Sequence, residues 1–291
     1  MFVHSQLAAL TAIVEAGSFE AAADRLSVTP SAVSQRIRGL EERVGGPVVT
    51  RSFPAEATEL GRKIAGHAAQ MARLDAELAE TLGERDRLSI AIAVNADSLA
   101  TWFLPALAGH DQRLFRVMVD DQDHSGDMLR RGEVAAAVTS RADPVQGADS
   151  VPLGRLRYIA TASPAFADRF FRDGLTAAAF AEAPALVFST KDTLQSSWAS
   201  ERAGRPVTLP SHYLPTTRGF VDAAILGVGW GMNPEPLVRD AIKAGQLVAL
   251  APDSPLDTPL YWQYHRVGSR ALEPLTAAVR RAAKSMLLQD S

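Results

Sequence analysis

The chain has 291 residues, 47% hydrophobic and 22% charged, with a formal net charge of −3 and no cysteine. That length exceeds a single small module and points to two or three compact units, and the composition supports a substantial core rather than disorder. Without cysteine there are no disulfides, thiolate metal sites or Cys nucleophile, and the slightly negative balance argues against a generally basic nucleic-acid coat protein.

The N-terminus has no basic stretch leading into an apolar run and a small-residue cleavage site, and no segment approaches 18 uninterrupted apolar residues, so a cytoplasmic protein without a membrane partner is expected. Leu7, Leu10, Ile13 and Val14 recur at helical spacing until Gly17-Ser18. Ser18 is placed to cap a second helix carrying Phe19, Ala22, Ala23 and Leu26. Thr29-Pro30 then reads as an N-cap followed by proline at the first helical position, which opens a third helix over Pro30 to Glu42. Its apolar stripe is Val33, Ile37, Leu40 and Val44. Ser31, Ser34, Gln35 and Arg38 occupy a separate face.

That second face carries the residue types that read DNA. Hydroxyls near a helix N-terminus suit phosphates, and Gln and Arg have bidentate geometries matched to adenine and guanine edges. An ordinary solvated face would look the same in one helix alone. The trihelical order weighs toward DNA, as do the following Gly45-Gly46-Pro47, the β-branched run Val48-Val49-Thr50, and Arg51 and Pro54, which suggest a small wing. Residues 1–58 hold five arginines, no lysine and six acids, so affinity must come from placement and pairing rather than bulk charge.

The stretch GSFEAAADRLSVTPSAVSQRIRGLEERVGGPVVTR resembles the DNA-binding segment of the LysR-type transcriptional regulators. The resemblance implies a winged helix-turn-helix over residues 1–58 that contacts double-stranded promoter DNA through Thr29, Pro30, Ser31, Ser34, Gln35, Arg36, Arg38 and Arg51. Two departures are visible: Pro30-Ser31 where the family usually has Gln-Pro, and Val48-Val49 where the wing usually has Leu-Phe. The first removes a base-reading glutamine and shifts readout toward Ser34, Gln35 and Arg38.

From Thr58 to Leu82 there is no proline, and Leu60, Ile64, Met71, Leu74, Leu78 and Leu82 repeat at near-heptad spacing. This predicts a linker helix (59–86) whose stripe packs on a second copy, giving a homodimer, or a tetramer by further pairing, or else packs on the chain's own later domain. A two-fold pair would set two recognition helices about one DNA turn apart.

Residues 87–291 change to an α/β pattern. Strands are expected at Leu88–Val94, Phe115–Val119, Ala135–Thr139, Ala185–Phe188 and Pro259–Tyr264. Helices are expected after Asn95-Ala96-Asp97-Ser98, over Ser125–Arg131 and after Thr216-Thr217-Arg218-Gly219. This pattern implies parallel pairing and two lobes, lobe I about 87–162 with 265–291 and lobe II about 163–264, with a small-molecule cleft between them. The LysR resemblance implies the same periplasmic-binding-protein-like effector domain. The segments NADSLATWF, DDQDH, GVGWGM and TPLYWQ are similar to its ArgP/LysG branch, which activates basic amino-acid export in response to lysine or arginine and acts on RNA polymerase.

A free amino acid needs partners for its carboxylate, its ammonium and its side chain. Ser98 is the carboxylate candidate. Asp97, Asp120, Asp121 and Asp123 are candidates for a cationic side chain, although such a cluster can equally be a solvated loop. Asn95, Thr139, Thr216 and Thr217 are candidates for polar lining, and Trp102 and Trp230 for cleft walls, a position where aromatic residues are commonly core instead. The six histidines show no ligand spacing, so neither a metal nor a cofactor is expected beyond the effector. GVGWGM lacks dinucleotide-binding spacing and reads as a tight turn. The rival reading, an α/β enzyme with a regulatory helix-turn-helix, has no nucleophile elbow or cofactor loop to rest on.

Overall fold

A computed structural model describes residues 3–81, 88–111, 113–119 and 125–289. Three helices, α1 (His4–Ala16), α2 (Phe19–Arg25) and α3 (Pro30–Val44), form the N-terminal bundle. Local chemistry sets each start. Ser18 Oγ accepts the Ala21 N–H at 3.1 Å, and Thr29 Oγ1 accepts the Ala32 N–H at 3.2 Å with Pro30 at the first position of α3. Gly17 ends α1 and Gly45 ends α3, both left-handed (φ 72° and 78°). Val33, Ile37 and Leu40 bury the apolar face of α3 against Leu10, Ile13 and Ala22.

The wing is a two-armed loop closed by the Val49–Ala57 bridge, with Thr50 N–H donating to Glu56 O at 2.7 Å. The return arm, 55–57, carries no strand pattern in the sequence. The linker helix α4 (Glu59–Thr81) is capped by Thr58, whose hydroxyl accepts from Gly61 N–H at 3.0 Å and donates to Pro47 O at 2.7 Å. Its stripe divides. Ile64 is buried and Met71 packs on the N-terminal core, whereas Leu74 and Leu78 are 49% and 60% exposed. The expected continuation at Leu82 and the charged turn at 83–87 lie outside the described residues.

The remaining elements are β1 (Leu88–Val94), α5 (Ala96–Ser98), β2 (Arg113–Val119), α6 (Ser125–Arg130), β3 (Ala136–Thr139), β4 (Ala148–Ala162), α7 (Pro164–Phe170), α8 (Ala177–Glu182), β5 (Ala185–Val187), α9 (Leu194–Ala203), β6 (Ser211–Tyr213), α10 (Thr217–Ile225), β7 (Gly231–Pro234), α11 (Glu235–Lys243), β8 (Val248–Ala249), β9 (Leu256–His265) and α12 (Glu273–Met286). α5 runs on into a π turn at Leu99–Phe103 and a 3-10 turn at Leu104–Leu107. The tight turn expected in GVGWGM covers its first glycines, while Gly231 and Met232 already belong to β7.

The expectation of an all-parallel sheet is corrected. Strand order is β2-β1-β3-β9-β4-β7, with β8 also on β4; β1–β2, β1–β3 and the separate β5–β6 pair are parallel, and β3–β9, β4–β9, β4–β7 and β4–β8 are antiparallel. The long antiparallel pair β4–β9 lies at the middle of the sheet, with β3 on the β9 side and β7 on the β4 side. No turn signal or sharp period marks β4 in the sequence. A register shift at Pro152/Gly154 bends this pair. At Gly154 (φ 118°) a Cβ would lie 2.5 Å from Leu288 O, because the C-terminal segment bridges to Arg155 there.

The N-terminal bundle also touches the later domain of its own chain. Glu15 of α1 pairs with Arg25 at 2.7 Å and with Arg116 of β2 at 2.9 Å. A Cβ on Gly66 of α4 would fall 2.1 Å from Arg131 O, so the helix meets this backbone where only glycine fits.

Candidate functional site

On α3, Ser31, Gln35 and Arg38 are exposed, Ser34 and Arg36 half-buried, and Pro30 exposed at the helix start. Thr29 is exposed as well, with its hydroxyl oxygen holding the cap. Because α3 buries its other face, this polar row projects from the bundle as the sequence predicts. Arg51 is exposed on the wing. The wing is tied to α3 itself, since Glu41 Oε1 accepts the Val48 N–H at 3.0 Å. Recognition helix and wing therefore form one rigid surface.

A second site lies where β4 carries the chain from β3 toward α7. It is a small cavity, partly open to solvent. Asn95, Ala96 and Asp97 line it from the start of α5, Tyr158 from β4, and Phe188, Asp192, Leu194 and Gln195 from the approach to α9. Thr217 and Phe220 of α10 and Met232, Asn233 and Pro234 of β7 complete it.

Two carboxylates and no cationic side chain line this cavity among the described residues. Asp97 accepts from Tyr158 OH at 2.8 Å and from Thr217 Oγ1 at 2.8 Å, and so ties α5 to α10 across the cavity. Asp192 accepts from the Phe188 and Leu194 N–H groups, both at 3.0 Å. Both carboxylates are thus fixed in orientation, and each retains acceptor capacity. Two further acceptors have no partner among the described residues: Oε1 of Gln195, a residue 2% exposed, and Oδ1 of Asn233, fully buried. The Asn233 amide nitrogen is engaged with Thr161 Oγ1 at 2.9 Å. Buried acceptors left bare are costly, and a ligand rich in N–H groups would satisfy them.

Of the residues expected here, Asn95, Asp97 and Thr217 line the cavity and Thr216 adjoins it as the N-cap of α10, with its hydroxyl facing Gly219 N–H at 3.4 Å. Ser98, Thr139, Trp102 and Trp230 do not line it. Ser98 is fully buried with no partner for its hydroxyl among the described residues, and α5 is a three-residue turn whose side chains divide between cavity and core. Thr139 is buried on β3 and accepts the Arg141 N–H. Trp102 packs edge-on against Phe103, and Trp230 sits among Phe171, Phe180 and Trp198. Both indoles are core rather than wall, since a ring that large is most stable where it is enclosed on every side. Asp120, Asp121 and Asp123 lie outside the described residues.

The sequence did not single out Tyr158, Asp192, Gln195 or Asn233. Asp192-Thr193 just ahead of a helix and Asn233 near a strand end were the available signals, and neither stands out from ordinary turn chemistry.

Residues 4–62 match the bacterial regulatory helix-turn-helix protein family, lysR type, and residues 83–284 match the LysR substrate binding domain. The HTH-type transcriptional regulator LysG of Mycobacterium tuberculosis is 47% identical over 284 residues, covering 97% of this chain and 93% of that protein. The regulator ArgP of Pseudomonas aeruginosa is 42% identical over 300 residues, covering 100% and 99%. The crystal structure of ArgP from M. tuberculosis superposes with a TM-score of 0.83 at 46% identity, over 98% of each chain. Full-length LysG from Corynebacterium glutamicum with bound effector Arg gives a TM-score of 0.71 at 38% identity, over 99% of this chain and 100% of that one. With both family domains matched in order and relatives of this identity along nearly its whole length, the chain belongs to the LysR-type transcriptional regulators.

Proposed function

We propose that this DNA-binding regulator activates a basic amino-acid exporter gene, with lysine or arginine held in the interlobe cavity as its effector. The carrying observation is the cavity's chemistry: two oriented carboxylates, two unpartnered buried amide oxygens and no cation among the described residues. An ammonium or guanidinium supplies several N–H donors and a positive charge to such a lining. Asp97 and Asp192 take the cationic groups, and Gln195 Oε1 and Asn233 Oδ1 accept the remaining hydrogens. The effector carboxylate is served by the amides that open α10 at Thr217 and Arg218, ahead of Gly219 and Phe220, whose N–H groups are taken by Thr216. The bound arginine of the Corynebacterium relative and the lysine-export name of that organism's regulator support the same class.

On the DNA side, Ser31, Ser34, Gln35, Arg36 and Arg38 face the major groove and Arg51 the backbone. Leu74 and Leu78, exposed on α4, meet a second copy to form a homodimer, which can pair into a tetramer. Regulation requires the effector to bind one quaternary arrangement more tightly than another. Asp97, bonded across the cavity, is placed to sense closure, and the changed arrangement alters recruitment of RNA polymerase in the cytoplasm.

Calorimetry on the full chain tests the effector. Lysine or arginine should bind, the neutral isostere norleucine should bind far more weakly, and Asp97→Asn should weaken lysine or arginine about 10- to 100-fold, or roughly 1.4–2.8 kcal/mol. Absence of heat with both basic amino acids, or equal binding of norleucine, rejects the assignment.

A further inference from the structure

Phe53, at the tip of the wing, is 90% exposed, more than any other large hydrophobic side chain among the described residues. A single exposed apolar residue is ordinary by itself. What distinguishes Phe53 is its mounting. Thr50 and Ser52 hydroxyls are 2.9 Å apart, Ser52 Oγ donates to Pro54 O at 3.3 Å, and Glu56 N–H donates to Thr50 Oγ1 at 2.9 Å. Below these, Ala55 N–H donates to Gly17 O at 2.7 Å, fixing the return arm on the α1–α2 turn, while Glu41 fixes the outgoing arm on α3. Both arms are therefore anchored to the bundle that carries the recognition helix.

The tip segment 51–54 contains one cation, Arg51, and no acid. A hydrogen-bonded loop that exposes an aromatic ring two residues from an exposed arginine, and is tied to α3 through Glu41, matches the chemistry of a groove-inserting wedge. Such wedges partly unstack a base step and kink the duplex, while a neighbouring cation follows the phosphates. We propose that Phe53 is an apolar wedge that enters the minor groove of DNA beside the major-groove site of α3, so that the wing bends the duplex as well as contacting its backbone. This rests on the reading of α3 as the recognition helix. A second protein surface at the tip is the competing occupant, and a tip segment with one cation and no acid weighs toward the polyanion.

The test uses the full chain and a duplex selected by it from a random-sequence pool. Binding by fluorescence anisotropy, bending by circular-permutation mobility, and unstacking by 2-aminopurine placed along the flanks are compared for wild type, Phe53→Ala, Phe53→Leu, Arg51→Ala and Arg38→Ala. Phe53→Ala should bind about tenfold more weakly with a smaller bend, no 2-aminopurine signal and an unchanged salt slope, because an apolar contact releases no counterion. Phe53→Leu, still a wedge, should retain most of the bend. Arg51→Ala should lower the salt slope by about one.

Unchanged affinity and bend in Phe53→Ala, with Arg38→Ala still losing specific binding, overturns the wedge and leaves the recognition helix standing. A Phe53→Ala defect that comes with an altered oligomeric state without DNA assigns the ring to a protein contact and also overturns it. Failure of the wild-type chain to select any duplex, or equal loss of specific and non-specific binding in Arg38→Ala with no bend in wild type, removes the reading of α3 and the wedge with it.

Discussion

The exposed face of α3 with its wing and the cavity around Asp97 are built in opposite ways. The helix α3 and the wing occupy residues 29 to 57, and the bonds that shape them stay within the N-terminal bundle: Thr29 with Ala32, Glu41 with Val48, Thr50 with Glu56, and Ala55 with Gly17. The cavity takes Asp97, Tyr158, Asp192, Thr217 and Asn233, and its two bridging hydrogen bonds span 61 and 120 residues. A surface made by near neighbours is nearly complete once its own segment folds. A cavity made by distant segments exists only when the whole domain is packed, and its geometry can change when that packing shifts. This division suits a regulator whose reader stays constant while its sensor switches.

Substitutions in the two regions separate them. The largest effect is expected at Trp230, fully buried against Phe171, Phe180 and Trp198. Trp230→Ala should cost about 3–5 kcal/mol in urea denaturation of the effector domain. The N-terminal bundle, which has its own core, should keep its helical signal at urea concentrations that unfold the rest. Simultaneous loss of both would show that the junction at Gly66 and Glu15 couples them more tightly than their separate cores suggest.

Thr29→Ala tests the reverse direction. Loss of the cap should destabilise α3 by about 1 kcal/mol, weakening DNA binding while effector heats stay at their wild-type values. A change in effector affinity would break the proposed independence of reader and sensor.

The smallest effect is expected on the crossing strands. Arg157 and Asp257 face each other across β4 and β9 in a two-bonded pair, both contacts 2.8 Å. The hydrogen bond from Arg157 lowers the Asp257 carboxyl below its ordinary value, outweighing the opposite effect of desolvation, and raises Arg157 in turn. A carboxylate with a lowered folded-state value contributes stability that is complete above the unfolded carboxylate range, near about 3.9, and is lost as pH falls through the lower folded value. The pair is partly exposed, so its contribution is under about 1 kcal/mol and is screened by salt. Urea midpoints of Asp257→Asn between pH 7 and 3 should run slightly below wild type and converge with it at the acid end. A constant gap would assign the effect to packing instead.

The same contrast governs what could be read without coordinates. Ser18, Thr29, Pro30 and Gly45 announce helix starts and stops because capping is decided within four residues, and the Val33–Ile37–Leu40 stripe places one face of α3 in the core, leaving Gln35 and Arg38 outside. The β1 strand and the helix at Thr217 were visible for similar reasons. By contrast, β4 was missed because it alternates between two environments along its length and carries a bend at Gly154. The split of the α4 stripe into a buried half and an exposed half depends on where the bundle ends, which no periodicity records.

Sequence alone determined the helix-turn-helix, the polar row on α3, the run of the linker helix from Glu59 and the α/β character of residues 88–289, because each is set by short-range sterics, capping and hydrophobic period. Only the tertiary structure decided that Asp97 faces the cavity while Ser98 one residue later is sealed in the core, that Trp102 and Trp230 are packing rather than walls, and that Tyr158, Asp192, Gln195 and Asn233 converge. Those outcomes depend on how the antiparallel crossing of β4 and β9 sets distant segments against one another, and register between segments about a hundred residues apart is fixed by packing of the whole core, not by any local pattern.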